Sequence, residues 1–239
     1  MQALKSLLKN TVKFCFQAFG LKISRIASQK PLAAKYFNTG RLSPIEENSV
    51  FLYDSFYKDT KALEDYYQSE RVAFYKGVVA HFKSLGLSLD GKDVADMGCG
   101  VGYLLCEISN HFSPKSLSGY DFSKEAVEFS SKKFPGSSFA VHDIYEALQS
   151  SYDFIFCTEV LEHLETPHFA LRNLLSALNP GGVLVLTVPN GRIDNLIEHI
   201  NFWSPESWKA FLLRECPGMT VTTSNLFDGS VNFAVVQCN

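Results

Sequence analysis

The 239-residue sequence has no C-x-x-C pair, no low-complexity tract, no internal repeat and no run near the ~18 consecutive apolar residues of a membrane span. The six cysteines (15, 99, 106, 157, 216 and 238) are scattered, and Cys99, Cys157 and Cys238 fall in or beside segments that read as buried strands. That usage predicts reduced thiols and a cytoplasmic protein. Lys5, Lys9 and Lys13 interrupt the apolar core a signal peptide needs. Acid is missing from one region: residues 1–41 hold eight of the 22 basic residues and no Asp or Glu. The remainder has 14 basic residues against 25 acidic ones, a formal −11 within an overall −3. On that count the larger part is not expected to bind nucleic acid, because phosphates would be repelled.

In the acid-free segment, Leu4, Leu7, Leu8, Val12, Cys15, Phe16 and Phe19 recur at helical spacing, with Lys5, Lys9 and Lys13 on another face. Lysines four apart repel by roughly 0.2–0.5 kcal/mol per pair, so the helix calls for a surface to form on. Packing on the protein's own body, contact of residues 3–19 with an anionic membrane or a partner, and an organelle transit peptide all fit. Residues 29–49, with Pro31, Gly40 and Pro44, read as a linker. Residues 51–85 read as two amphipathic helices.

After Gly91 the pattern becomes regular. Short apolar runs (DVADM, SLSGY, SSFAV, YDFIFC, GVLVLTV) alternate with amphipathic stretches beginning near Gly102, Ser123, Thr166 and Ser204. This predicts a parallel sheet wrapped by helices. MTVTTSN and VNFAVVQC lie too close across Asp228-Gly229 for a crossover, so they must form an antiparallel hairpin.

The run Asp96-Met97-Gly98-Cys99-Gly100-Val101-Gly102 leaves the first strand and opens a helix, where glycines admit a ligand to the backbone and unpaired amides face an anion. A dinucleotide fingerprint needs Gly or Ala where Tyr103 stands, which disfavours a nicotinamide oxidoreductase. An acid before G-x-G-x-G suits a ligand with an ammonium and a carboxylate. Asp121 ends the second strand at the spacing of a ribose-binding acid, and Asp143 ends the third, where an adenine amino group can be received.

The runs VADMGCGVGYLL, GYDFS, VHDIYE, YDFIFCTEVLEHLETP and LNPGGVLVLTVPN, in this order, resemble the class I S-adenosylmethionine-dependent methyltransferases. The likeness is greatest to the branch with an E-V-L-E-H segment that includes ubiquinone-type and sugar O-methyltransferases. It covers roughly residues 91 to 238. It implies an α/β, Rossmann-like, doubly wound sheet of seven strands in the order 3-2-1-4-5-7-6, the last antiparallel. It also implies S-adenosylmethionine as cofactor and S-adenosylhomocysteine as product. Asp96, Gly98, Cys99, Gly100 and Gly102 would form the methionine side and Asp121 with Phe122 the ribose side. Asp143 and Ile144 would face adenine, and Thr158 and Glu159 the sulfonium. The domain reading is a basic extension over 1–50 and a methyltransferase domain over 51–239, with a helical lid at 51–86 and a sheet core at 91–239.

In-line methyl transfer depends mainly on orientation, which can supply about 7–11 kcal/mol against about 3–5 from a general base. His163, oriented by Glu159 or Glu162, and His199, ahead of the Ser204-Pro205 helix start, are the candidate bases, with Glu162 as the third catalytic candidate. Tyr53, Phe56, Tyr57, Tyr66, Tyr67 and Tyr75 are candidates for the lid. No metal site is expected, since no spaced His/Cys/carboxylate set is visible. The expected acceptor is an oxygen, with nitrogen as the second choice, of a small molecule, saccharide or lipid-linked group. A nucleic-acid acceptor is disfavoured by the −11 charge and by Thr-Glu-Val-Leu at 158–161, where amino-group methylases of nucleic acid carry a proline-containing tetrad. A non-catalytic binding module and a protein methyltransferase are the alternatives.

Overall fold

The computed structural model describes residues 48–59, 61, 63 and 69–238. The basic helix, its membrane contact, most of the linker, and Tyr66 and Tyr67 lie outside the described residues. Helices α1 (Val50–Lys58) and α2 (Ser69–Ser84) precede an alternating region. There β1 (Asp93–Met97), α3 (Tyr103–His111), β2 (Ser116–Asp121), α4 (Lys124–Lys133), β3 (Ser138–Val141) and β4 (Tyr152–Thr158) follow one another. A 3-10 turn (Leu161–His163), α5 (Pro167–Ser176), β5 (Leu178–Pro189), α6 (Pro205–Glu215), β6 (Thr220–Leu226) and β7 (Val231–Gln237) complete the chain.

The seven strands form one sheet in the order β3-β2-β1-β4-β5-β7-β6. β7 runs antiparallel to both β5 and β6, as the short connection required. Its turn bends through positive φ at Phe227, Asp228 and Gly229. Strand residues alternate between two cores, the consequence of a period of two in a sheet covered on both faces. Val94, Phe154, Phe156, Val183 and Val185 pack with Val78 and Phe82 of α2 and Leu104, Leu105 and Ile108 of α3. Ala95, Ile155, Cys157, Leu184 and Leu186 face the other way, onto Leu171 and Leu174 of α5 and Trp208 and Leu212 of α6.

The helix starts follow local chemistry. Gly102 (φ 80°), Ser123, Thr166 and Ser204 are the four N-caps of α3 to α6. Ser123 Oγ accepts from Ala126 N and Ser204 Oγ from Ser207 N, each at 3.2 Å, with Pro205 at the first helical position. Among the described residues no helix is long and apolar enough to cross a membrane, and Cys99, Cys106, Cys157, Cys216 and Cys238 are free thiols.

Candidate active site

The carboxyl ends of β1, β2 and β4 open onto a cavity of about 630 Å³, closed by α1, the start of α2 and the 190–204 loop. This is the edge at which open α/β sheets bind ligands. The glycine turn enters it from β1. Gly98 N–H and Cys99 N–H both donate to the Tyr120 carbonyl, at 2.8 and 2.9 Å, which ties the turn to β2. Gly98 holds φ 74°, and a Cβ there would lie 2.4 Å from Val160 Cγ2, so only glycine fits.

Asp121 is held from both sides: Oδ2 accepts from Gly100 N at 2.8 Å and Oδ1 from Ser123 N at 2.9 Å. Burial pushes its carboxyl up to about 6 despite these two N–H groups, and Asp54 adds to the rise. Asp96 is 1% exposed, and its Oδ1 has no hydrogen-bond partner. Burial first and Asp121 second raise it to about 8, while Arg71 acts in the opposite sense.

Of the eleven residues expected to hold the cofactor, eight line the cavity: Gly98, Gly100, Asp121, Phe122, Asp143, Ile144, Thr158 and Glu159. Asp96, Cys99 and Gly102 stand behind that lining. Cys99 is buried against Gly119, and Gly102 caps α3 beside Phe134 and Phe139. Tyr53, Phe56, Tyr57 and Tyr75 also line the cavity, as a lid would. Asp143 is exposed, and its Oδ1 accepts from Tyr145 N at 2.9 Å.

The three catalytic candidates meet at one end. The 190–204 loop is stitched to the 3-10 turn: Ile200 N–H and Asn201 N–H donate to the Glu162 carbonyl (2.8 and 3.0 Å), and Asn201 Nδ2 donates to the Leu164 carbonyl (2.7 Å). The His163 and His199 rings therefore lie 4.6 Å apart, edge to face. His163 Nδ1 is 3.3 Å from the Glu198 carbonyl, and Nε2 is 3.8 Å from Glu162 Oε1. His199 Nδ1 is 2.5 Å from Asp194 Oδ2. Burial, with His199 next in weight, lowers His163 to about 3, and burial followed by Glu159 pushes Glu162 well up. Glu159 is likewise raised by burial and sits at φ 55°, the left-handed region that a side chain rarely takes.

Asn48, Arg71, Asp194 and Glu198 also line the cavity, although the sequence pattern did not single them out. Arg71 had a faint signal as a cation within an aromatic helix; Asp194 and Glu198 lie in an irregular loop that carries none. The ligand-type atoms of Glu162, His163 and His199 all lie within 4.8 Å of one another, a grouping that no sequence spacing displays.

A family model described as a methyltransferase domain matches residues 67–215. The chain is 40% identical over 109 residues to the tRNA U34 carboxymethyltransferase of Campylobacter curvus, covering 42% of this chain and 35% of that protein. It is 41% identical over 108 residues to the enzyme of the same name in Helicobacter acinonychis, 41% of each chain. The chain thus spans well under half the length of these relatives. Among solved structures, a Haloferax volcanii methyltransferase in complex with the Trm112 activator superposes with a TM-score of 0.64 at 18% identity, over 78% of this chain and 97% of that one. The magnesium protoporphyrin IX methyltransferase of Synechocystis with bound S-adenosylmethionine gives 0.59 at 17% identity, over 80% and 97%.

The relatives' names overturn two expectations from the sequence: an acceptor that is a small molecule, saccharide or lipid-linked group, and the exclusion of nucleic acid as a partner. The physical error lies in the use of net charge. A formal −11 averages a whole surface, whereas phosphates are met by local groups, and the chain holds eight basic residues within residues 1–41. From the match over residues 67–215, which takes in β1 to α6 and most of the residues that line the cavity, the chain belongs to the methyltransferase-domain family, class I enzymes that use S-adenosylmethionine.

Proposed function

We propose that the protein transfers a methyl group from S-adenosylmethionine to a nucleotide of an RNA, of the tRNA class. The observation that carries the acceptor is the 40% identity, over 109 residues, to a relative named for a tRNA uridine. On the donor side, the cavity's own groups support the reading. Asp121 keeps lone pairs for two ribose hydroxyls beyond its two backbone donors, and Asp96 Oδ1 is a buried acceptor two residues before Gly98. Asp143 and Ile144 lie at the adenine end, Thr158 and Glu159 at the sulfur end. The donor supplies a methyl carbon activated by a sulfonium. The residues' work is to align it with the acceptor, which enters against Glu162, His163 and His199.

The relatives are named for a carboxymethyl group; with S-adenosylmethionine as the donor, the group proposed for transfer here is methyl. Glu159, Glu162, Asp194 and Glu198 line the transfer end, and Arg71 is the single lysine or arginine among the described lining residues. Reduced thiols and an RNA acceptor fit a cytoplasmic protein.

The test is incubation with methyl-labelled donor and an unmodified tRNA pool, followed by mass spectrometry of the digested nucleosides. The expected product is one nucleoside heavier by a single methylene. Label that never reaches RNA, in a protein that binds S-adenosylhomocysteine, refutes the acceptor.

A further inference from the structure

Several surface cations are matched by acids: Lys115 sits on Asp93, Arg192 on Glu206, and Arg172 and Arg214 share Glu215. On α4 the balance differs. Lys124 is 3.5 Å from Glu128, and Lys58 of α1 is 3.3 Å from Glu125, which uses both acids of the helix in weak surface bridges. Lys132 and Lys133, in the last turn, are exposed and form no ion pair among the described residues. Lys133 Nζ donates to Tyr103 Oη at 2.7 Å and lies 4.9 and 5.2 Å from the ring centroids of Tyr103 and Phe129. Such contacts hold the ammonium in place, but neither partner is an acid, so its charge is not offset. These groups share a groove. It holds about 450 Å³ between α1 and α4, with half-buried Tyr57 and Phe129 as apolar walls and Lys58, Lys132 and Lys133 along it. Tyr57 also lines the donor cavity, so a single ring separates the two spaces. The start of α4 reaches the donor site itself, where Ser123 N–H donates to Asp121, and the ten residues of the helix carry Lys133 about 15 Å from that point.

We propose that this groove is a second RNA subsite, outside the transfer cavity, in which Lys132 and Lys133 bind two phosphates of the acceptor's strand and one base lies against Phe129. Ammonium groups beside aromatic faces are the pairing that a single strand uses, its backbone on the charges and its bases on the rings. Four lysines against two acids make the groove locally positive, inside a part of the chain whose formal charge is −11. A strand meets that local field rather than the average. Phosphate contacts carry no sequence information, so the groove sets the position of the RNA and leaves selection of the base to the cavity. Tyr103 and Phe129 hold the Lys133 ammonium in one place before the strand arrives, which lowers the cost of ordering a long side chain on binding.

This subsite rests on the RNA acceptor proposed above, and binding and transfer are measured separately. Full-length protein is titrated with an end-labelled, unmodified tRNA pool between 50 and 200 mM salt, with fluorescence anisotropy as the readout. In the double variant Lys132→Gln with Lys133→Gln, the slope of log affinity against log salt should fall by about 1.4–1.8, from about 0.7–0.9 per phosphate. At 0.1 M salt that is a loss of about 25- to 60-fold in affinity. Phe129→Leu, which keeps an apolar side chain but removes the ring, should weaken binding about fivefold or more and leave the slope unchanged. Lys209→Gln, at an exposed lysine of α6 across the sheet, should change neither, and all variants should bind S-adenosylhomocysteine as wild type does. Methyl transfer to tRNA with a wild-type slope in the double variant overturns the groove and leaves the acceptor reading intact. A slope lost as much in Lys209→Gln overturns it too. If the double variant loses only its binding to phosphatidylserine vesicles, the lysines belong to a membrane and the RNA assignment falls. A lowered slope without methyl transfer upholds the groove and removes the acceptor, whereas wild-type protein that binds S-adenosylhomocysteine but no tRNA at 50 mM salt removes both.

Discussion

Asp121 should make donor-site affinity and protein stability move in opposite directions with pH. Its carboxyl is raised to about 6 by burial, with Asp54 adding to the rise and the N–H groups of Gly100 and Ser123 opposing it. Asp96, on the neighbouring strand, is raised to about 8. For a carboxyl whose folded-state value is raised, the stability contribution is full below the unfolded value of 3.8 and is lost as pH rises through the folded value. Ligand-free protein should therefore lose up to about 3 kcal/mol from Asp121 between pH 4 and pH 7, and lose more through Asp96 toward pH 9. A ribose diol donates two hydrogen bonds and prefers the ionised carboxylate. With a value near 6, the ionised fraction rises from about one tenth at pH 5 to about nine tenths at pH 7. Affinity for S-adenosylhomocysteine should climb about tenfold over that range, about 1.4 kcal/mol.

Calorimetric titrations with S-adenosylhomocysteine at pH 5, 6 and 7, paired with thermal melts of ligand-free protein, measure both trends. In Asp121→Asn the affinity should become flat with pH and fall about thirtyfold. Two backbone N–H groups need acceptors there, and the amide offers one oxygen and an NH₂. A wild-type affinity that is level between pH 5 and pH 7 would refute the reasoning, since a carboxylate at its ordinary value is ionised throughout. An affinity that rises unchanged in Asp121→Asn would assign the titration to another group.

Gly98→Ala should cost about 2–4 kcal/mol, from its left-handed φ and the 2.4 Å approach to Val160, and abolish donor binding. Adding Val160→Ala should restore only the steric part, and full recovery in melts would show that φ carries no strain. At position 159, where φ is 55°, Glu159→Gly should be more stable than Glu159→Ala by about 1 kcal/mol, and equal midpoints in denaturant would refute the backbone argument. If RNA phosphates meet the basic segment, Lys5→Gln, Lys9→Gln and Lys13→Gln together should lower the slope of log affinity against log salt for tRNA by about 2–3. An unchanged slope would place the contacts elsewhere.

What could be read from the sequence was what local rules determine. The four N-caps, the strand runs and the terminal hairpin follow from side-chain period, glycine and serine chemistry and connection length. Gly98, Gly100, Asp121 and Asp143 sit at strand ends where topology puts any ligand, so their place in the cavity was legible too. The other end of the cavity is tertiary. Asn48 Nδ2 donates to the Glu198 carbonyl from 150 residues away, and His163 turns to the same carbonyl across 35. Neither the Asp194–His199 pair nor the grouping of Glu162 with two histidines has a spacing that a linear pattern can show. Asp96 is an intermediate case: its spacing from the glycines is visible in the sequence, but that β1 sets it in the wall, 1% exposed, is not.

The acid-rich cavity must also be reconciled with a cationic donor. The sulfonium charge vanishes as methyl moves, so carboxylates beside the sulfur would stabilise the ground state more than the transition state and slow transfer. Burial divides the acids in the useful sense. Asp121, with two N–H donors and a value of about 6, is mostly ionised at pH 7, and in the proposed donor pose it meets the ribose, where negative charge aids binding. Asp96, Glu159 and Glu162 are raised by burial, which holds charge near the sulfur down. Binding is thus electrostatic at the sugar, while the reacting end stays close to neutral until an acceptor proton is lost.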